Sequence, residues 1–269
     1  MAITSQDQLV SAIASSAPAG NRGPYVKTAL AGTFAAGQFV SLWTAPGQPA
    51  AGSAPAGTPG AVPTSATAGA FSFTNPNSGN SYLARLFASS TVAGTLVLYD
   101  RLVGVGGIVT TGAPACASAA LTRPDANGVN AEIWIEITTT CSSTNNAFGV
   151  TYTNSAAVAS HTTGTVQLNA AIANQAFQLP LQSGDVGVQS VTAITNGTNQ
   201  AAGALNVVIA RRIAEFAIPA AFQPYPPQDP FWAGLPQIYN SACIFGIFLI
   251  GAGTAAPAIQ SGSLCIAQG

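Results

Sequence analysis

Charge is what this sequence has least of. Asp, Glu, Lys and Arg make up 6% of its 269 residues, where about a quarter is usual for a soluble domain. Lys27 is the single lysine, His161 the single histidine, and the formal net charge is −1. A protein that neutralises a phosphate backbone needs several cations along one track. The cations here are scattered, at Arg22, Lys27, Arg85, Arg101, Arg123 and the pair Arg211–Arg212. That pattern argues against nucleic acid as a partner, and against an anionic membrane surface for the same reason. The most apolar stretch, residues 242–252, is about half of the roughly 20 residues that span a bilayer. The opening Met1-Ala2-Ile3-Thr4-Ser5-Gln6-Asp7 has no basic leader followed by a long apolar run, so synthesis in the cytoplasm is expected.

The residue patterns that carry chemistry are also scarce. A Ser-His-Asp arrangement would have to use His161 as its base, and no G-x-S-x-G turn supplies a nucleophile. Cys116, Cys141, Cys243 and Cys265 form neither a C-x-x-C pair nor a Cys/His cluster, as zinc sites normally do. Buried free thiols are the favoured reading of these four, with disulfides formed after release from a cell as the other. Gly104-Val105-Gly106-Gly107 leads into Ile108-Val109-Thr110 rather than a helix, so it reads as a bulge or tight turn and not a phosphate loop. Glu132 and Glu136 share a strand face, but four residues of strand separate them by roughly 13 Å, wide for a glycosidase pair. A charged face turned to water is the expected explanation. Asp100–Arg101 and Arg211–Arg212 with Glu215 read as ion pairs at strand ends or interfaces. No catalytic residue, cofactor or metal site is expected, and the chain is not expected to be an enzyme.

What the sequence does have is apolar and β-forming. Apolar residues are 48% of the chain, enough for a sizeable core. Residues 5–15 read as a short helix: Ser5 and Gln8 match a capping box, and Leu9, Val10 and Ile13 follow at helical spacing. Residues 1–20 could pack on their own domain or reach a neighbour as an arm. Strand-type runs then recur at 26–30, 38–43, 81–87, 95–103, 131–139, 148–153, 164–168, 177–181, 186–194, 205–213, 242–250 and 263–266. In 131–139, Ile133, Ile135 and Ile137 alternate with Glu132, Trp134 and Glu136, the pattern of a half-buried strand with a polar or interfacial second face. The expected fold is all-β and mainly antiparallel, sandwich or jelly-roll-like, over a single domain at 21–269.

Two segments stand apart. Residues 44–70 are crowded with Pro, Gly, Ala, Ser and Thr, and Val62 is their only aliphatic side chain larger than alanine or proline. Such a segment has little to bury against the cost of ordering, so an extended arm covered by a neighbouring subunit is expected. Residues 219–236 combine six prolines with Phe222, Tyr225, Phe231 and Trp232. Aromatics on a stiff scaffold make contact area at low entropic cost. Pro224, Tyr225, Phe231 and Trp232 are the candidate inter-subunit anchors, against a core-capping crossover loop as the other reading.

Four stretches carry a family resemblance: residues 1–10 (MAITSQDQLV), 94–102 (GTLVLYDRL), 179–185 (LPLQSGD) and 239–243 (YNSAC). With them the chain resembles tailed-bacteriophage virion structural proteins. The resemblance is spread over most of the sequence and transfers no site residue. It implies a capsid-associated role of the decoration or cement type, in a virion assembled in the host cytoplasm. The major capsid protein and further copies of this chain, in a trimer or other cyclic oligomer, would be the partners. A major shell subunit or tail component is the alternative within that class. A tail-associated receptor-binding adhesin is the alternative of another class.

Overall fold

The computed structural model describes residues 4–15, 22–28, 32–76, 79–112, 114–223, 236–252, 254–255 and 259–269. The chain opens with α1 (Gln6–Ser15) and β1 (Arg22–Thr28). Three short strands follow, β2 (Phe34–Ala35), β3 (Phe39–Ser41) and β4 (Gly47–Gln48). Next come β5 (Ser81–Ser90), β6 (Gly94–Val109), β7 (Ala131–Thr139) and β8 (Ala147–Asn154). Then follow β9 (His161–Thr162), β10 (Val166–Gln167), β11 (Gln175–Leu179), β12 (Val188–Asn196) and β13 (Ala204–Ile218). β14 (Gln237–Ile238), β15 (Ile244–Ile250), β16 (Thr254–Ala255) and β17 (Ile259–Gln268) end the chain. Each stretch expected to be a strand overlaps one, and the protein is mainly antiparallel β with one short N-terminal helix. Single-strand alternation cannot tell a sandwich from a barrel, and here six strands, β11-β3-β15-β6-β13-β7, close into a barrel.

Closure gives every barrel strand an inner and an outer face, and three clusters of buried side chains follow from it. The inner cluster holds Trp43, Val97, Tyr99, Trp134, Val208, Phe245 and Ile247. Outside, Leu96, Leu98, Phe216 and Phe248 of the barrel pack on Leu83, Leu86, Leu264 and Ile266 of a curled five-stranded sheet, β14-β5-β17-β1-β4. Elsewhere on the barrel wall, Ile133, Ile135, Ile137 and Val207 pack on Phe148, Val150, Tyr152 and Val191 of the β10-β8-β12 sheet, whose β8 also pairs with β9. The expected isoleucine face of 131–139 is thus a true core face. Its other face is not turned to water: Trp134 and Glu136 are buried in the barrel interior.

Local chemistry explains the smaller features. Ser5 caps α1, its Oγ accepting from the Gln8 amide at 3.2 Å. The helix packs on its own domain, with Leu9, Ala12 and Ile13 against Ala84, Cys265 and Ala267. The Gly104–Gly107 stretch lies within β6 and carries the expected bulge: the register slips against Leu205/Val207 of β13, and Gly107 sits at φ 69°. All four cysteines are free and buried.

The segment 44–70 corrects the expectation drawn from its composition. It is not an arm awaiting a neighbour but a strap laid across its own barrel. Its attachments are backbone groups and small surfaces rather than large apolar side chains. Ala61 and Gly104 exchange both backbone hydrogen bonds, the Gly106 amide donates to Ala56 O, and the Ala119 amide donates to Pro59 O. Pro55 sits on the Gly104–Gly106 backbone, where a Cβ on Gly106 would lie 2.1 Å from the Pro55 carbonyl. The glycines of β6 are therefore a saddle for this strap. Pro224, Tyr225, Phe231 and Trp232 lie outside the described residues. Just before them, Phe222 is 70% exposed and its amide donates to Ser90 O.

Candidate functional site

Among the described residues, five charged side chains, Lys27, Asp100, Arg101, Arg123 and Glu136, are buried. Their placement follows from strand alternation. Asp100 and Arg101 are neighbours on β6 and so point to opposite faces of the barrel wall. Arg101 enters the interior and meets Glu136 of β7 end-on, Nη1 to Oε1 and Nη2 to Oε2, both at 2.8 Å. The Ser41 hydroxyl donates to Glu136 Oε1 at 2.6 Å. The guanidinium stacks 4.5 Å from the Trp43 ring centroid and 5.3 Å from that of Phe245. Burial pushes the Glu136 carboxyl up, but the Arg101 charge and the hydrogen bonds of Arg101 and Ser41 outweigh it and hold the carboxyl below its usual range.

Asp100 faces outward and is equally enclosed. It accepts from Arg123 Nε and Nη2 and from the Cys243 amide, while Arg123 Nη2 also donates to Arg101 O at 2.7 Å. These pairs lie in mid-strand, not at the strand ends or interfaces expected for Asp100 and Arg101. Glu132, partly exposed, accepts from Tyr99 Oη and Trp134 Nε1 at 3.1 and 3.0 Å and lies 3.8 Å from Arg212 Nε. The expected face of Glu132 and Glu136 turned to water is therefore corrected for Glu136, which is buried, while Glu132 keeps part of its carboxylate in solvent beside Arg212. Arg212 does pair with Glu215, at 3.3 Å and in the open.

Lys27 has a different environment. It is 1% exposed, and its Nζ donates to three backbone carbonyls, Ala45, Pro49 and Ala50, at 3.2, 2.9 and 3.2 Å. Burial draws its ammonium down to about 8. Between the strap and the barrel is a cavity of about 220 Å³, lined among others by Trp43, Pro55, Val62, Pro63, Arg101 and Gly104. The bidentate partner of Arg101 already neutralises the one charge at this cavity.

His161 lies at a different place, on β9. Its Nδ1 is 2.7 Å from Asp185 Oδ2. Asp185 also accepts from Tyr152 Oη and from Asn154 Nδ2, and Tyr152 Oη accepts from the Gln182 amide at 2.8 Å. The carboxylate is thus a fastening between β8, β9 and the 182–187 turn. Nothing in the spacing of Tyr152, His161 and Asp185 announces this cluster, because a turn and two strands bring it together. The Tyr152 hydrogen bond above all, with those of Asn154 and His161, holds the Asp185 carboxyl below its usual range. Its contribution to stability is therefore complete above the ordinary carboxylate pKa and is lost as pH falls through the lower folded value. Asp185→Asn is expected to flatten that part of the acid limb of a pH–stability curve. An unchanged limb would show that the fastening carries no stability.

Among the described residues, no group of three or more His, Cys, Asp or Glu side chains gathers to hold a metal, and no helix is long and apolar enough to cross a membrane. Fold and interior together define a mainly antiparallel β protein with an ionic pair sealed in a six-stranded barrel. No family model, no curated protein and no solved structure matches the chain.

Proposed function

We propose that this chain is a structural protein of a bacteriophage virion, a decoration or cement protein that stabilises the head, and that it is not an enzyme. The observation that carries this reading is where the charge goes. At least five of the fifteen charged residues lie inside the fold, all among the described residues, which leaves at most ten for 10879 Å² of surface. Depletion of charge is a mark of surfaces covered at interface centres. The phage-like stretches at 1–10, 94–102, 179–185 and 239–243 support the same class. A protein that binds the assembled lattice and not its free subunit stabilises that lattice by mass action. The partners are then the major capsid protein and further copies of this chain in a closed cyclic oligomer.

Contacts of this kind depend little on ionic strength, because few charges are present to screen. Raising salt from about 0.05 to 1 M is expected to release little of the protein from purified particles, measured by sedimentation. Release at moderate salt would mean that ion pairs dominate and would remove the argument from charge. Gold labelling of the same particles locates the chain. A uniform label over the head supports decoration, and a label at the tail tip points to the receptor-binding alternative.

A further inference from the structure

We infer that Lys27 is the built-in cation of the 43–53 loop and the lock that keeps the start of the strap on the barrel. The loop is closed at its base by Trp43. The Gly52 amide donates to Trp43 O at 2.8 Å, and Trp43 Nε1 donates to Ser53 O at 2.9 Å. Between these ends the chain turns around the tip of Lys27. Gly47 pairs with Lys27 in the β1–β4 ladder, and the carbonyls of Ala45, Pro49 and Ala50 converge on Nζ. Residues 43–53 hold no charged side chain and no aliphatic one larger than proline, so they have no core of their own. Three carbonyl oxygens gathered at one buried point repel one another unless a cation stands between them, as in the oxygen cages that hold metal cations. Here the cation is supplied covalently, on a strand of the curled sheet. This explains why the one lysine of the chain is placed where no carboxylate among the described residues pairs with it. The inference stands on these contacts alone and is independent of the proposed role in a virion.

The test is amide hydrogen exchange of Gly52, with Ile135 and Val208 in the barrel as controls. Lys27→Met keeps the unbranched stem as far as Cε and removes the ammonium group. The Gly52 amide is expected to exchange at least tenfold faster, roughly, in this variant, with the barrel amides unchanged. In Lys27→Ala, added propylammonium is expected to restore Gly52 protection, and 1-propanol, of the same number of heavy atoms but uncharged, is not. Unchanged Gly52 protection in Lys27→Met, or equal rescue by the alcohol, would overturn the assignment. The wild-type protein gives a check that no folding failure can obscure. An amine-reactive ester is expected to modify Lys27 at least about a hundredfold more slowly in the native protein than in urea. Comparable native and denatured rates would show that the cage is open and the lock absent.

Discussion

Arg101→Met is expected to cost about 3–5 kcal/mol of unfolding free energy, because it leaves the Glu136 carboxylate without its countercharge inside the barrel. The geometry makes the loss specific. Two parallel hydrogen bonds at 2.8 Å disappear, the Ser41 hydroxyl alone remains on Oε1, and the carboxylate belongs to a residue that is only 4% exposed. The pH dependence is expected to reverse as well. In the wild type the folded Glu136 titrates below its usual range, so its stabilisation is complete above the unfolded carboxylate pKa and lost as pH falls through the folded value. Without Arg101, burial dominates and the folded carboxyl titrates above its unfolded value. The variant then becomes more stable relative to wild type as acid is added. Chemical denaturation at several pH values reads both effects. Combining Arg101→Met with Glu136→Leu is expected to recover most of the loss, because an apolar pair of similar volume pays no desolvation penalty. A double variant as unstable as Arg101→Met would show that packing, not charge, sets the cost.

Deleting residues 47–66, which removes four backbone hydrogen bonds and uncovers Trp43, is expected to destabilise the barrel by about 5–7 kcal/mol, a large part of the roughly 5–15 kcal/mol that holds a domain together. The segment covers Trp43, whose ring meets Gly52 so closely that a Cβ there would lie 2.2 Å from it. Full exposure of such a side chain costs about 1.5–3 kcal/mol. The backbone bonds of Ala56, Pro59 and Ala61 to Gly106, Ala119 and Gly104 add about 1 kcal/mol each. Thermal and urea unfolding of the deletion variant measure the sum. Unchanged stability would restore the reading that composition suggests, an arm that the domain does not need.

The strap also shows why the sequence misleads there. Its residues offer almost nothing apolar to bury, and from composition alone that means an unanchored chain. The anchor belongs to other parts of the sequence: the glycines at 104 and 106, which let a backbone lie on a backbone, and the ammonium of Lys27. Neither reveals its partner by spacing. The same holds for Tyr152, His161 and Asp185, whose cluster exists only once β8, β9 and the 182–187 turn have been assembled.

The sequence by itself determined the class of fold and the position of every strand longer than two residues, while five two-residue strands, β2, β4, β9, β14 and β16, were not expected from it. Alternation at 131–139, the glycine bulge at 104–107 and the capping Ser5 are local signals, and local signals survive in one dimension. It determined too that the surface would be poor in charge, since 15 charged residues cannot cover a protein of 269. Only the tertiary structure decided which of those charges stay outside. A strand with isoleucines on one face and Glu132, Trp134 and Glu136 on the other satisfies a sandwich with a wet face and a closed barrel equally well. Closure turned that second face inward and set Glu136 against Arg101, 35 residues away, because a buried carboxylate is stable only where a cation reaches it. That choice depends on which strands become neighbours, a property of the whole chain that no single stretch contains.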